Sequence, residues 1–349
     1  MYFTPDDWGR ITETYEDWWS GKLERPLVLC VRRTKSCPQI SKSTCGDFAK
    51  PPEDVIAEMD YNIVHTDYFG DAYPVAHWEF FGPGILAAYL GSPVTLRTDT
   101  VWFNPIPNES PLADMHFAYD PNNPWLVRCK DLYWAAVKKW QGKVQIGMTD
   151  IGGELDVIAS LVGTERLLYS LIDEPREVKR LCEEIHVLWW KCYTDLLEII
   201  APTNPGHSDW LGVFSAKPYY TQQCDFSYMI SPTMFGEFVA PYLRDTAARL
   251  GHSFYHLDGP GELAHLDTLL KMDNIAAIQW QPGDGNGWGY KWIEVYRKLR
   301  AAGKNMHFIG SNEEFEKVTA DVGAKGMYFN TWFRSDEDRV RFFEKYGVR

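Results

Sequence analysis

A histidine and an aspartate two residues apart, His256 and Asp258, stand just before the turn Gly259-Pro260-Gly261 in the stretch GHSFYHLDGPG. Side chains alternate along a strand with period two, so a strand over residues 253–257 points both groups to one face and delivers them at its carboxyl end. In α/β proteins that end is where chemistry is done. An imidazole beside carboxylates can hold a divalent metal, zinc or a similar ion that takes N and O ligands. Without a metal the same pair suits general acid/base catalysis, because a carboxylate sets the tautomer of an imidazole and raises its pKa. The residues alone leave both open, beside the plainer case of a core histidine bonded to a turn aspartate.

Other predicted strand ends carry similar groups. Asp150 and Glu154 follow a strand over 143–148, and His207, Asp209 and Trp210 belong to a strand over 207–213. Gln279, Trp280 and Gln281 end a strand over 276–280, and Asn330 and Trp332 end the last one. A loop, QQCD, brings Gln223 and Asp225 over the same mouth, Arg32 and Arg33 close the first strand, and His77 and Trp78 lie in a Gly/Pro-containing loop. The expected catalytic groups are His256, Asp258, Asp209 and Asp150, with His256 and Asp258 as metal ligands. The expected substrate contacts are Trp210, Gln223, Asp225, Gln279, Trp280, His207, His77 and Arg33. A serine hydrolase is excluded for want of a GxSxG elbow.

These groups need elements to position them. Trp8, Ile11, Tyr15, Trp18 and Trp19 recur at helical spacing and predict an N-terminal amphipathic helix over 6–20. PLVLCVRR (26–33) follows as a buried strand, and Pro52 with Glu53 and Asp54 opens the next helix. After Trp125, strands alternate with helices to the end of the chain, which predicts a parallel sheet. Eight such strands fit one closed (β/α)8 TIM barrel over residues 1–349, with 68–125 an irregular insert that covers the carboxyl-end mouth. A doubly wound open sheet is the alternative, but its usual Gly-rich phosphate turn is absent. Pro241 sits inside a helical run and predicts a kink there.

A net charge of −13 with no Lys/Arg cluster argues against a nucleic-acid partner, and no apolar run has transmembrane length. The seven cysteines are scattered without a CxxC, and the first residues do not resemble a signal peptide, so a reduced, cytoplasmic enzyme is expected. Cys30, Cys37 and Cys45 are near one another but match no zinc template. The 15 Trp, 19 Tyr and 18 Phe serve a bulky core and large, partly polar pockets equally well.

The run DWLGVFS…CDFSYMISPTMFGEFVAPYLRD (209–245), followed by GHSFYHLDGPGELAHLDTLL (251–270) and IAAIQWQPGDG (275–285), resembles the uroporphyrinogen decarboxylase superfamily. Ser231, Pro232, Phe235, Phe238 and Pro241 carry its SP-x-x-F-x-x-F-x-x-P pattern, and the likeness spans residues 130–330. It implies a (β/α)8 barrel with a funnel at the carboxyl ends. The superfamily divides into true decarboxylases and cobalamin-linked methyltransferases in which zinc activates a thiol. Where the decarboxylases carry RQAGR after the first strand, this chain has VRRTKSC (31–37). The methyltransferases hold zinc on His-x-Cys and a later Cys; His256 matches their histidine, Asp258 stands at the first cysteine, and GMYFNTW (326–332) supplies no second one. The resemblance therefore implies an N/O metal site or a metal-free site. No DxHxxG motif is present, so a corrinoid would arrive only on a partner protein. The implied function is methyl transfer between a small methylated compound and a corrinoid protein, by a monomer or homodimer. A decarboxylase or lyase of a small carboxylic acid or tetrapyrrole, and a non-catalytic small-molecule binder, are the alternatives.

Overall fold

The computed structural model describes residues 1–36, 40–41, 43–78, 81–98, 100–107 and 110–349. The N-terminal helix, Pro5–Trp19, begins where Thr4 and Asp7 form a reciprocal capping box, with Pro5 at the first helical position. Its aromatic stripe packs with Leu27, Tyr73, Phe214, Tyr219, Phe254 and Tyr328 in a core distinct from the main one. Trp18 Nε1 donates to the Met327 carbonyl at 3.1 Å, and Trp19 stacks on His252 at 4.5 Å. Both contacts are with first residues of strands, so this helix plugs the amino end of the sheet.

The strands are β1 (Leu27–Arg33), β2 (Thr66–Gly70), β3 (Val75–Ala76), β4 (Val94–Leu96), β5 (Val101–Phe103), β6 (Gln145–Ile146), β7 (Tyr219–Gln222), β8 (His252–Asp258), β9 (Ala277–Gln281), β10 (Asn305–Phe308) and β11 (Met327–Thr331). Seven of them form one sheet in the order β2-β1-β11-β10-β9-β8-β7, and every neighbouring pair is parallel except β1 with β2. β3 and β6 make a separate parallel pair, and β4 and β5 a small antiparallel one. Helices such as Pro124–Trp140, Pro175–Ile200, Ile293–Ala301 and Asn312–Val322 make the connections.

The α/β alternation expected from the sequence is present, but among the described residues the ladders do not form an unbroken ring of eight parallel strands. Among the described residues no ladder joins β2 to β3, because the antiparallel β2 occupies the edge of β1. The expected strand over 207–213 is instead a hairpin: His207 and Ser215 exchange both backbone bonds, and Gly212, at φ +78°, turns the chain between them. The rising arm of that hairpin joins the segment that follows β6, where Met148 N donates to the Ser208 carbonyl at 2.7 Å. β7, taken from sequence as part of a loop, is the strand that follows.

The run containing Pro241 breaks at Val239 into the helices Pro232–Phe238 and Ala240–Arg249, as a proline without an N–H requires. Ile106, Leu112 and Met115 brace the helical layer: Ile106 N donates to the Leu161 carbonyl at 2.9 Å, and Arg180 Nη2 to those of Leu112 and Met115 at 2.6 and 3.0 Å. No helix among the described residues is long and apolar enough to cross a membrane.

Candidate metal centre

β8 alternates as its sequence demands. Phe254 faces the amino-end core, Tyr255 and Leu257 pack into the main core, and His256 and Asp258 share the inward face. Register sets His256 beside Gln279 and Asp258 beside Gln281 on β9. Asp225 opens the short turn that follows β7, and the amides of Asp225 and Phe226 donate to Asp156 at 3.2 and 2.7 Å, which fixes that turn over the strand ends. Asp225, His256 and Asp258 thereby bring one ligand atom each to within 4.8 Å of one another. His256 Nε2 lies 4.0 Å from Asp258 Oδ2. Two donors on a tetrahedral zinc stand about 3.4 Å apart, so side-chain rotations alone would close the set.

His256 is held from behind and from the side. Its Nδ1 bonds Gln279 Oε1, and Gln279 Nε2 bonds His307 Nδ1 at 2.6 Å. The Trp210 ring meets the His256 imidazole edge-on at 5.2 Å. Burial, and then the neighbouring His256, push the His307 pKa down to about 3, so His307 is neutral.

The carboxyls here repel one another. Burial raises the Asp258 pKa, His256 opposes that rise, and Asp225 and Asp284 reinforce it. Glu262 is fully buried; its Oε2 accepts from the Asp258 amide at 2.9 Å, and its pKa is pushed up to about 9, chiefly by burial, with Asp225 and Asp156 adding to the rise. Asp156 is raised by burial and by the Asp225 carboxylate. Glu262 Oε1, Gln281 Oε1 and Trp210 Nε1 are buried without a hydrogen-bond partner among the described residues. Crowded carboxyls with the unpaired Gln281 oxygen beside them are what a bound cation would neutralise, so the donor set fits a divalent ion with N and O ligands. It does not fit thiolate zinc: the described cysteines are buried, and burial holds Cys224, next to Asp225, well above its ordinary pKa.

The whole chain has a counterpart among solved structures. A methyltransferase from Methanosarcina mazei matches it with a TM-score of 0.62, over 96% of this chain and 97% of that one, at 9% identity. At that identity the likeness is one of fold. No protein-family model and no curated protein matches the sequence.

The remaining expected site residues divide. Asp150 is buried, bonded by Gln223 Nε2 at 3.2 Å and by the Gly152 amide at 2.8 Å, and burial pushes its pKa up to about 6; it anchors the chain that leads to Asp225 rather than joining the triad. Asp209 is a structural acceptor for the amides of Leu211 and Thr221 at 3.0 and 2.5 Å, and burial raises it to about 7. His207 belongs elsewhere. It pairs with Ser215, whose hydroxyl bonds His252 Nδ1 at 2.9 Å, so it lies level with the start of β8, about 13 Å below His256 at the rise of a strand.

His77 does face the interior, with Nδ1 3.3 Å from the Asp209 carbonyl, and lines a cavity of about 270 Å³ with Leu29, Val75, Leu211 and Tyr328. Trp280 is turned outward: it is fully buried against Trp292, ring centres 5.0 Å apart, because it alternates with the inward Gln279. Trp78 likewise packs on Tyr133 in the core. Arg32 is paired with Asp67 and Asp336, and Arg33 reaches the Asn62 carbonyl at 3.5 Å. Trp332, 67% exposed, borders a larger cavity between the helices Asn312–Val322 and Asp336–Tyr346. Cys30 and Cys45 are buried in the core, and Cys37 lies outside the described residues.

Three contributors escaped the sequence reading. Glu262 follows Asp258 by four residues, the spacing that returns a side chain to the start of a turn, and His307 alternates with Asn305 on the inward face of its strand. Both signals were available. Asp156 had none, because its partner is a backbone 69 residues away.

Proposed function

We propose that this chain is a methyltransferase related to the uroporphyrinogen decarboxylase superfamily, with a divalent cation, zinc or a similar ion, held by Asp225, His256 and Asp258. The convergence of those three ligand atoms at the carboxyl end of the sheet carries this reading. The fold likeness to a methyltransferase and the resemblance across residues 209–285 support methyl transfer as the reaction. A cation in this position supplies Lewis acidity to an oxygen, nitrogen or sulfur nucleophile. The protein's own groups do the positioning: Asp156 holds the Asp225 turn, Glu262 holds the Asp258 backbone, and Trp210 walls the imidazole. The small substrate enters at the mouth, and the corrinoid arrives on a partner protein.

The test is methyl transfer from methylcobalamin to a panel of small thiols and amines, followed by the visible spectrum with metal-loaded protein. Transfer is expected with at least one acceptor, and His256→Ala should slow it by about 100-fold or more. Transfer that is unchanged in the variant defeats the assignment.

A second reading, a lyase of a small carboxylic acid, draws on one observation. Glu262, with its pKa near 9, keeps its proton at neutral pH beside the triad and could supply the hydrogen that replaces CO2. Release of labelled CO2 from small carboxylic acids, abolished in Glu262→Gln, would favour it over methyl transfer.

A further inference from the structure

We infer that Gln279, backed by His307, is a positioning residue that decides whether the His256 nitrogen facing Asp258 presents a lone pair or a hydrogen; this rests on the metal reading above and deepens it. The three side chains form one row across neighbouring strands, since Gln279 is the register partner of His256 on β8 and of His307 on β10. A primary amide has an acceptor on one side and a donor on the other. Gln279 turns its oxygen to His256 Nδ1 and its NH2 to His307 Nδ1.

Each contact then fixes a proton. An amide oxygen only accepts, so His256 carries its hydrogen on Nδ1, and Nε2, the nitrogen 4.0 Å from Asp258, keeps the lone pair that a cation needs. An amide NH2 only donates, so His307 Nδ1 is the acceptor and its hydrogen sits on Nε2. Half a turn of the amide reverses both tautomers. His256 would then present an N–H to Asp258, a bond that satisfies the carboxylate and excludes the metal. The row has two self-consistent settings, of which one ligates. In the observed setting His307, buried and packed edge-on against Tyr328 at 4.8 Å, takes the Gln279 NH2 on Nδ1 and closes the row.

Zinc affinity of the chain, measured against a competing chelator, is compared for the wild type, His256→Ala, Gln279→Leu and Gln279→Glu. Long-range 15N–1H spectra of the metal-free proteins report the tautomers. The expected results are an Nδ1–H signature for His256 in the wild type and zinc binding weakened by about 10–100-fold in Gln279→Leu. In Gln279→Glu, whose carboxylate still accepts from Nδ1, the affinity and the signature are expected to be retained. Zinc bound equally by Gln279→Leu and the wild type, but not by His256→Ala, would overturn the relay and leave the metal site standing. Zinc bound equally by the wild type and His256→Ala would remove the metal reading itself. An Nε2–H signature in the wild type overturns the relay in either case.

Discussion

The amide of Asp258 and the carboxyl of Glu262, four residues further on, close a 2.9 Å hydrogen bond at the end of the strand that carries His256. The bond keeps a buried acid against a proposed ligand, and the burial, which outweighs the opposing effect of the bond, leaves a signature in the pH dependence of stability. Glu262 has its folded pKa raised from 4.5 to about 9, so its contribution to stability is fully present below pH 4.5 and is lost as the pH rises through 9. Glutamine mimics the protonated acid and does not titrate. Melting temperatures of metal-free Glu262→Gln and wild type should therefore diverge in the variant's favour as the pH is raised across that interval. A difference that stays constant with pH would show that Glu262 does not hold its proton.

Gly153 tests the support behind Asp225. A Cβ added there would lie 2.3 Å from the Gln223 carbonyl oxygen and 2.9 Å from Asp156 Oδ2. Neither a backbone oxygen nor the carboxylate that holds the Asp225 turn can be displaced without moving that turn. Gly153→Ala is expected to weaken zinc binding by about tenfold, as the loss of an outer-sphere support does. Unchanged affinity in isothermal titration would mean that the turn is placed by other contacts.

Asp209 separates structure from chemistry. Its two oxygens accept from Leu211 N and Thr221 N, so Asp209→Ala leaves two buried amides unpaired, at a cost of about 2–4 kcal/mol. Chemical denaturation should show that loss, with the zinc affinity of the folded variant retained. Abolished metal binding at unchanged stability would return Asp209 to the active site.

How far the sequence spoke for this arrangement differs from element to element. The aromatic stripe of the first helix, the break near Pro241 and the shared face of His256 and Asp258 were legible, because each follows from a local period or a backbone rule. The hairpin over 207–215 was not. Its apolar residues imitate a strand, and only the tertiary pairing of His207 with Ser215 and the left-handed Gly212 reverse it. The same gap misplaced His207 and hid the two amides whose hydrogen bonds Asp209 accepts. Trp280 was assigned to the mouth by its position at a strand end, whereas the alternation that turns Gln279 inward sends its neighbour outward. Asp225 was legible as a mouth residue but not as a ligand, since its approach to His256 depends on bonds to Asp156 from a distant helix.

The central claim is that Asp225 completes a cation site with His256 and Asp258. Calorimetric titration of zinc into the metal-free chain tests it most directly, with Asp225→Asn and His256→Ala measured alongside. One ion per chain is predicted for the wild type, with each substitution weakening its binding by about tenfold or more. Zinc bound with the same affinity by all three proteins, or by none of them, would contradict the account.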